Sequence, residues 1–225
     1  MRLFFDMEFS GLRQNTTPVS LGIVSENGKK FYAEFTDYDE SQCDDWIKEN
    51  VINNLYLPHI PWHSQCYGKI EKLKNEGYVV SQNPHIPRAN ALVEYDYFKS
   101  DNDGNMNALG ELCWIGIALG EWLQQFDTIQ FVSDVCHYDF VLLIDLLTNG
   151  GTALDLPGNI SAVCHDLNMD IARHFHMSDH EAFDMSREQI MNDLCKPEDI
   201  VTGNKHNSLY DSCVIRAIYK EIVGY

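Results

Sequence analysis

Asp6 and Glu8 stand two residues apart in Leu3-Phe4-Phe5-Asp6-Met7-Glu8, an apolar run that reads as a β-strand. Residues two apart on a strand leave the same face, so the two carboxylates share one face and Met7 leaves the other. Close carboxylates on an otherwise apolar strand raise each other's pKa unless a cation holds them, which points to a divalent metal. The residues alone leave a second reading open, in which Glu8 merely ends the strand and faces water. Two further groups carry ligand-type side chains. His59, His63 and Cys66 have metal-like spacing, but Pro58 and Pro61 prevent a helical display. His174, His176 and His180, with Cys164 and His165, read as surface histidines. No Gly-rich phosphate loop and no Gly-x-Ser-x-Gly elbow is present, so nucleoside-triphosphate hydrolysis and serine-esterase chemistry have no support.

The pair needs a scaffold, and the hydrophobic periodicity supplies one. Residues 3–8, 19–25 and 31–35 read as three strands of an antiparallel meander, with Glu26-Asn27-Gly28-Lys29 as the second turn. A helix is expected over 44–55, with Trp46, Ile47, Val51 and Leu55 on one face. From 58 to 107 four prolines (58, 61, 84 and 87) and the turn cluster Asp101-Asn102-Asp103-Gly104-Asn105 break the pattern and bracket short strand-like pieces near 78–81 and 91–98, which marks an insertion or lid. Leu112, Ile115, Leu119, Trp122 and Phe126 predict a helix over 108–126. A strand over 128–133, a helix over 139–147, a short strand over 160–164, a polar helical stretch over 178–194 and a helix over 208–223 follow. The fold class is therefore α/β: an antiparallel meander followed by parallel strands in one mixed sheet, with helices on both faces.

The 225 residues fit a single domain over 1–225 carrying the 58–107 insertion. With 44% hydrophobic and 22% charged residues, disorder, collagen-like repeats and coiled coil are excluded. The best apolar run, 112–123, is interrupted by Glu121 and is shorter than the roughly 18 residues a membrane span needs. Arg2 is followed by three apolar residues before Asp6, too few for a signal-peptide core, so a cytoplasmic location with no membrane partner is expected. Seven cysteines scattered along the chain make no disulfide framework. A net charge of −18 repels polyanions and stands as an objection to any nucleic-acid partner.

The residues after the acidic pair bear on that objection. Asp6-Met7-Glu8-Phe9-Ser10-Gly11-Leu12 resembles the Asp-x-Glu-Thr-Thr-Gly-Leu opening of the DnaQ-like (DEDD) 3′-5′ exonucleases, a branch of the ribonuclease H-like fold. Asp134-Val135-Cys136-His137-Tyr138-Asp139-Phe140-Val141-Leu142-Leu143 resembles the family's second motif, His-Asn-Ala-x-Phe-Asp-x-x-Phe-Leu, with Tyr138-Asp139 on its Phe-Asp. Asp134 replaces the usual His there, and whether it is a helix cap or the ligand itself is open at this point. His206-Asn207-Ser208-Leu209-Tyr210-Asp211 is similar to the third motif, His-x-x-x-x-Asp, whose histidine marks the DEDDh subgroup. A local reading of that string is a capping box with Ser208 as N-cap and Asp211 at the third position. The three motifs occur in the family's order, which is far more specific than any one alone. Within the group, Phe4-Phe5-Asp6-Met7-Glu8-Phe9, Ser20-Leu21-Gly22-Ile23-Val24, the 28–33 hairpin and the 46–54 helix resemble the small bacterial and phage exoribonucleases of the RNase AS type.

The resemblance implies that Asp6, Glu8, Asp139 and Asp211 bind two Mg²⁺ or Mn²⁺ about 3.5–4 Å apart, and that His206 takes the proton of the attacking water. It implies that backbone around Phe9 holds the terminal nucleotide while Leu12 wedges beside its base; Phe9 is a stacking candidate by its own chemistry as well. The implied activity is hydrolysis of terminal phosphodiesters to 5′-monophosphates, the implied partner single-stranded nucleic acid and above all RNA. Relatives of the RNase AS type are compact dimers without a long insertion, so a homodimer is implied and the 58–107 segment is a departure. Metals would neutralise part of the −18, and Arg13, Lys29, Lys30, Arg88, Arg173 and Lys205 are candidates for a local positive rim. Two other readings share this motif set: a DNA 3′-5′ exonuclease, and a catalytically silent module that holds RNA or protein on the same fold.

Overall fold

The structure, a computed structural model, describes residues 1–58, 61–62, 67–80, 93–94 and 96–225. The expected meander is present as β1 (Arg2–Phe9), β2 (Pro18–Ser25) and β3 (Lys30–Phe35), paired antiparallel in order. Gly28 turns the β2–β3 hairpin at a φ of 88°, a conformation that glycine adopts without steric cost. Two parallel strands, β9 (Gln130–Ser133) and β10 (His165–Asp166), extend the sheet beyond β1. The strand expected over 160–164 is reduced to a single bridge between Ile129 and Ile160, and continuous pairing begins at His165.

At the other edge the strand-like pieces expected near 78–81 and 91–98 are present in part. The short strands β4 (Pro61–Trp62) and β6 (Val93–Glu94) pair with each other, whereas β5 (Val79–Val80), β7 (Tyr97–Ser100) and β8 (Met106–Gly110) join the main sheet. Among the described residues this sheet has eight strands, in the order β10-β9-β1-β2-β3-β8-β7-β5. Residues 106–110, expected to be partly helical, form β8 because Ala33 and Glu34 of β3 take Ala108 and Leu109 as parallel partners. The helix starts only at Leu112, whose N–H is accepted by the Asp37 carboxylate. His59, His63, Cys66 and Arg88 lie outside the described residues.

Eight helices are described: α1 (Asp45–Asn50), α2 (Tyr67–Asn75), α3 (Leu112–Leu123), α4 (Cys136–Thr148), α5 (Leu167–Phe175), α6 (Asp179–Phe183), α7 (Arg187–Leu194) and α8 (Ser208–Ile222). Period-2 alternation along β1 sorts them into two layers. Leu3, Phe5 and Met7 pack with Ile115, Leu119 and Trp122 of α3 and Leu143 and Leu146 of α4. Phe4, from the other face, packs with Ile171 of α5, Ile190 of α7 and Val214, Ile215 and Ile218 of α8. Each such fully buried side chain contributes about 1.5–3 kcal/mol. Trp46, expected on the buried face of α1, is 53% exposed, while Ile47 and Val51 carry the packing. The stretch over 178–194 divides into α6 and α7, each N-capped by a serine, Ser178 and Ser186. Among the described residues no helix is long and apolar enough to cross a membrane.

One glycine decides where α8 sits. Gly22 is the cross-strand partner of Asp6, and a Cβ there would lie 2.2–2.3 Å from the backbone of Ser208 and Leu209. The bare Cα lets the first turn of α8 lie directly on the sheet, where the Ser20 and Ser208 hydroxyls meet at 2.9 Å. Backbone cannot yield as a side chain does, so Gly22→Ala is expected to cost about 3 kcal/mol, near the upper end of overpacking effects. For a chain of this size that lowers Tm by roughly 6–12 °C, readable by calorimetry.

Candidate active site

Three distant segments meet at the carboxyl end of β1. Asp6 and Glu8 come from β1, Asp139 from the first turn of α4, and His206 and Asp211 from the loop and first turn of α8. All five, with Phe9 and Leu12, line one open cleft of about 360 Å³, within the range of small-ligand sites. One atom each of Glu8, His206 and Asp211 lies within 4.8 Å of the others, a spacing that suits a metal ion. His206 Nδ1 is 3.8 Å from Glu8 Oε1, and the His206 N–H donates to Asp211 Oδ2 at 2.9 Å. Asp139 Oδ2 accepts from the buried Ser133 hydroxyl at 3.2 Å.

Electrostatics set these acids apart from ordinary surface carboxylates. Burial, and after it the charges of Glu8, Asp139, Asp211 and Asp134, hold Asp6 well above the ordinary carboxylate range. Glu8 is pushed up to about 8 by burial and by Asp211 and Asp139. Burial and Asp134 raise Asp139 to about 8 against the hydrogen bonds of Ser133 and Met7. Asp211 rises to about 7 through burial and Glu188, opposed by the His206 N–H. These carboxylates repel one another without a cation, and their all-oxygen donor set fits hard divalent ions such as Mg²⁺ or Mn²⁺. His206 moves the other way: burial and Lys205 hold it below its ordinary value of 6.5, so the imidazole is neutral at pH 7.

Asp134 lines the same cleft, but its Oδ2 accepts from Arg187 Nε at 2.9 Å and its charge is thereby paired. Arg187 is itself fixed by the carbonyls of Ala182 and Met185 and by Asn168 Oδ1. The capping box centred on Ser208 is corrected by one residue. Asn207 is the N-cap, its Oδ1 accepting from the Tyr210 N–H, and Asp211 turns back to His206.

The wall beside the acids is aromatic. The rings of Phe9 and Tyr138 stack at 5.7 Å, Leu12 is 77% exposed at the rim, and Phe183 faces the cleft from α6. Tyr138, Phe183, Arg187 and Glu188 carried no role in the sequence reading. Tyr138 alone had a signal, since it adjoins Asp139 in the motif. Of the expected basic rim, only Lys205 among the described residues lines the cleft, and it pairs with Glu188 at 3.6 Å. Arg173 is paired with Asp170, and Lys29 bonds Gln125. His174, His176 and His180 are exposed, as expected of surface histidines.

No protein-family model matches the chain. Two curated 3′-5′ exoribonucleases of Mycobacterium tuberculosis, from strains CDC 1551 and H37Rv, are similar to it, each at 33% identity over 58 residues. The match covers 26% of this chain and 34% of theirs, so the chain spans about a third of the length of the curated relatives it matches.

Proposed function

We propose that the protein is a metal-dependent 3′-5′ exonuclease of the DEDDh type, on a ribonuclease H-like sheet, acting on the 3′ ends of single-stranded or short RNA. The observation that carries this reading is the convergence of four carboxylates and His206 from three segments on one cleft. The partial likeness to 3′-5′ exoribonucleases supports it. Asp6, Glu8, Asp139 and Asp211 would hold two Mg²⁺ or Mn²⁺. When bound, such ions neutralise charge on a phosphodiester and lower the pKa of water.

The chain's own groups do the rest. Neutral His206 accepts the proton of the water that attacks phosphorus, the bond from phosphorus to the 3′ oxygen breaks, the leaving oxygen takes a proton from solvent, and the products are a nucleoside 5′-monophosphate and a shortened 3′-hydroxyl end. The Phe9–Tyr138 stack and Leu12 hold the terminal base, where stacking contributes about 1–3 kcal/mol. Glu8 is the nearest candidate to accept from a 2′-hydroxyl, the group that separates RNA from DNA.

A chain of net charge −18, with its cleft cations already paired, gains little from a long phosphate backbone. RNA is therefore expected to be digested faster than DNA, with a shallow dependence on salt. The test is side-by-side digestion of matched RNA and DNA 3′ ends, single-stranded and duplex, at two salt concentrations. Faster loss of DNA, or a steep salt slope, would overturn the substrate assignment.

A further inference from the structure

We infer that Asn207 is a positioning residue for His206, the hub of a buried polar network that ties the histidine loop to β3 and to the segment after α1. The inference rests on the exonuclease reading for its kinetic consequence, but its geometry stands apart from that reading. His206 sits at a φ of 62°, in the left-handed region that non-glycine residues adopt only where their surroundings enforce it.

The enforcing contacts flank it on both sides. Asn54 Nδ2 donates to the Lys205 carbonyl at 2.9 Å. Asn207 Nδ2 donates to the Asn54 carbonyl at 3.2 Å and to the Tyr32 hydroxyl at 3.3 Å. Tyr32 donates onward to Glu34 Oε1 at 2.9 Å, and the same oxygen accepts the N–H groups of Tyr56 and Leu57 at 2.7 and 2.9 Å. Tyr32 and Tyr56 stack with centroids 4.6 Å apart and planes 6° from parallel.

Asn207 thus does two separate jobs. Its oxygen caps α8, which any good N-cap residue could do; its amide nitrogen binds the loop to β3 and to Asn54, which needs a donor in that place. Tyr32, Glu34 and Asn207 are all buried, so water does not replace a lost bond easily. A histidine that must meet a reacting proton within hydrogen-bond reach is sensitive to displacements of this kind, since misplacement by about 1 Å can cost about a hundredfold in rate. Among the described residues that line the cleft, Lys205 and His206 are the points where this loop reaches it, while Asn207, Asn54 and Tyr32 stand behind.

Asn207→Ser keeps a capping oxygen and removes the amide N–H donor that reaches Tyr32 and Asn54, and Tyr32→Phe keeps the ring stack and removes the hydroxyl that Asn207 reaches. On short RNA at saturating Mg²⁺, each is expected to lower kcat about 10–100-fold with KM within about twofold. In a His206→Ala background the same substitutions are expected to change kcat by less than about twofold, because the group they position is gone. An equal loss in both backgrounds would show a general structural role and overturn the inference. The ¹H–¹³C NMR signal of the His206 ring in chelated protein supplies a readout free of turnover. It is expected to move or broaden in Asn207→Ser while signals of the exposed histidines stay in place. If the wild-type protein degrades no nucleic acid, the exonuclease reading fails, and an unmoved His206 signal then overturns the positioning inference separately.

Discussion

Asp139→Asn is expected to lose about a thousandfold of turnover and, in chelated protein, to gain stability. The first effect follows from removing a charge that the cluster needs to hold its ions: metal stabilisation of a phosphoryl transition state is worth several kcal/mol, and about 4 kcal/mol is roughly a thousandfold. The second follows from linkage. The folded-state value of Asp139 is about 8, against about 3.9 for an unfolded aspartate, so between those values the chelated native state binds the extra proton. The contribution of Asp139 to the stability of the metal-free protein is therefore greatest below about pH 4 and falls as pH rises towards 8, with Glu8 and Asp211 acting in the same sense. Asparagine removes one contributor to that fall. A gain of about 1 kcal/mol at pH 8 would raise Tm by about 2–4 °C, and the Tm gap between variant and wild type should close towards pH 5. Added Mg²⁺ should stabilise the wild type more at pH 8 than at pH 5, and the variant less. Asp134→Asn serves as the control, because its partner is Arg187: turnover should largely persist. Activity lost in Asp134→Asn but kept in Asp139→Asn would place the second motif in the other register.

His206→Ala is expected to lower kcat by about 10²–10⁴-fold, the usual contribution of a positioned general base, with a small change in KM. Because burial and Lys205 hold the imidazole below 6.5, the wild-type rate should climb with pH on the acid side of that value and level off by about pH 7. The variant should lose that limb. A metal-dependent ionisation could imitate the profile in the wild type, so comparison of the two profiles carries the test. Unchanged turnover in His206→Ala would remove the DEDDh assignment.

The pairing of Asp6 and Glu8 was legible because its geometry is local: they share a face by the period of a strand. Asp139, His206 and Asp211 entered only through the resemblance of their motifs, and the structure brings them to the same cleft. What closes around them was hidden because its partners are distant in sequence. Ala108 and Leu109 fit a helical pattern as well as a strand, and only pairing with Ala33 and Glu34 decides between them. Arg187 lies in a polar stretch with nothing to announce that it neutralises Asp134, 53 residues earlier. Phe183 reads as a lone aromatic until α6 brings it to the cleft. Asn207 looks like a cap and is one; its second job depends on Tyr32, 175 residues away.

The central claim is metal-dependent removal of nucleotides from a 3′ end by the cluster of Asp6, Glu8, Asp139, His206 and Asp211. A 5′-labelled single-stranded RNA incubated with the protein and Mg²⁺ or Mn²⁺ tests it most directly. The account predicts a ladder shortened one nucleotide at a time from the 3′ end, nucleoside 5′-monophosphates as products, and no degradation in EDTA. An oligonucleotide that is bound but left intact, or degradation that persists in EDTA, would contradict it.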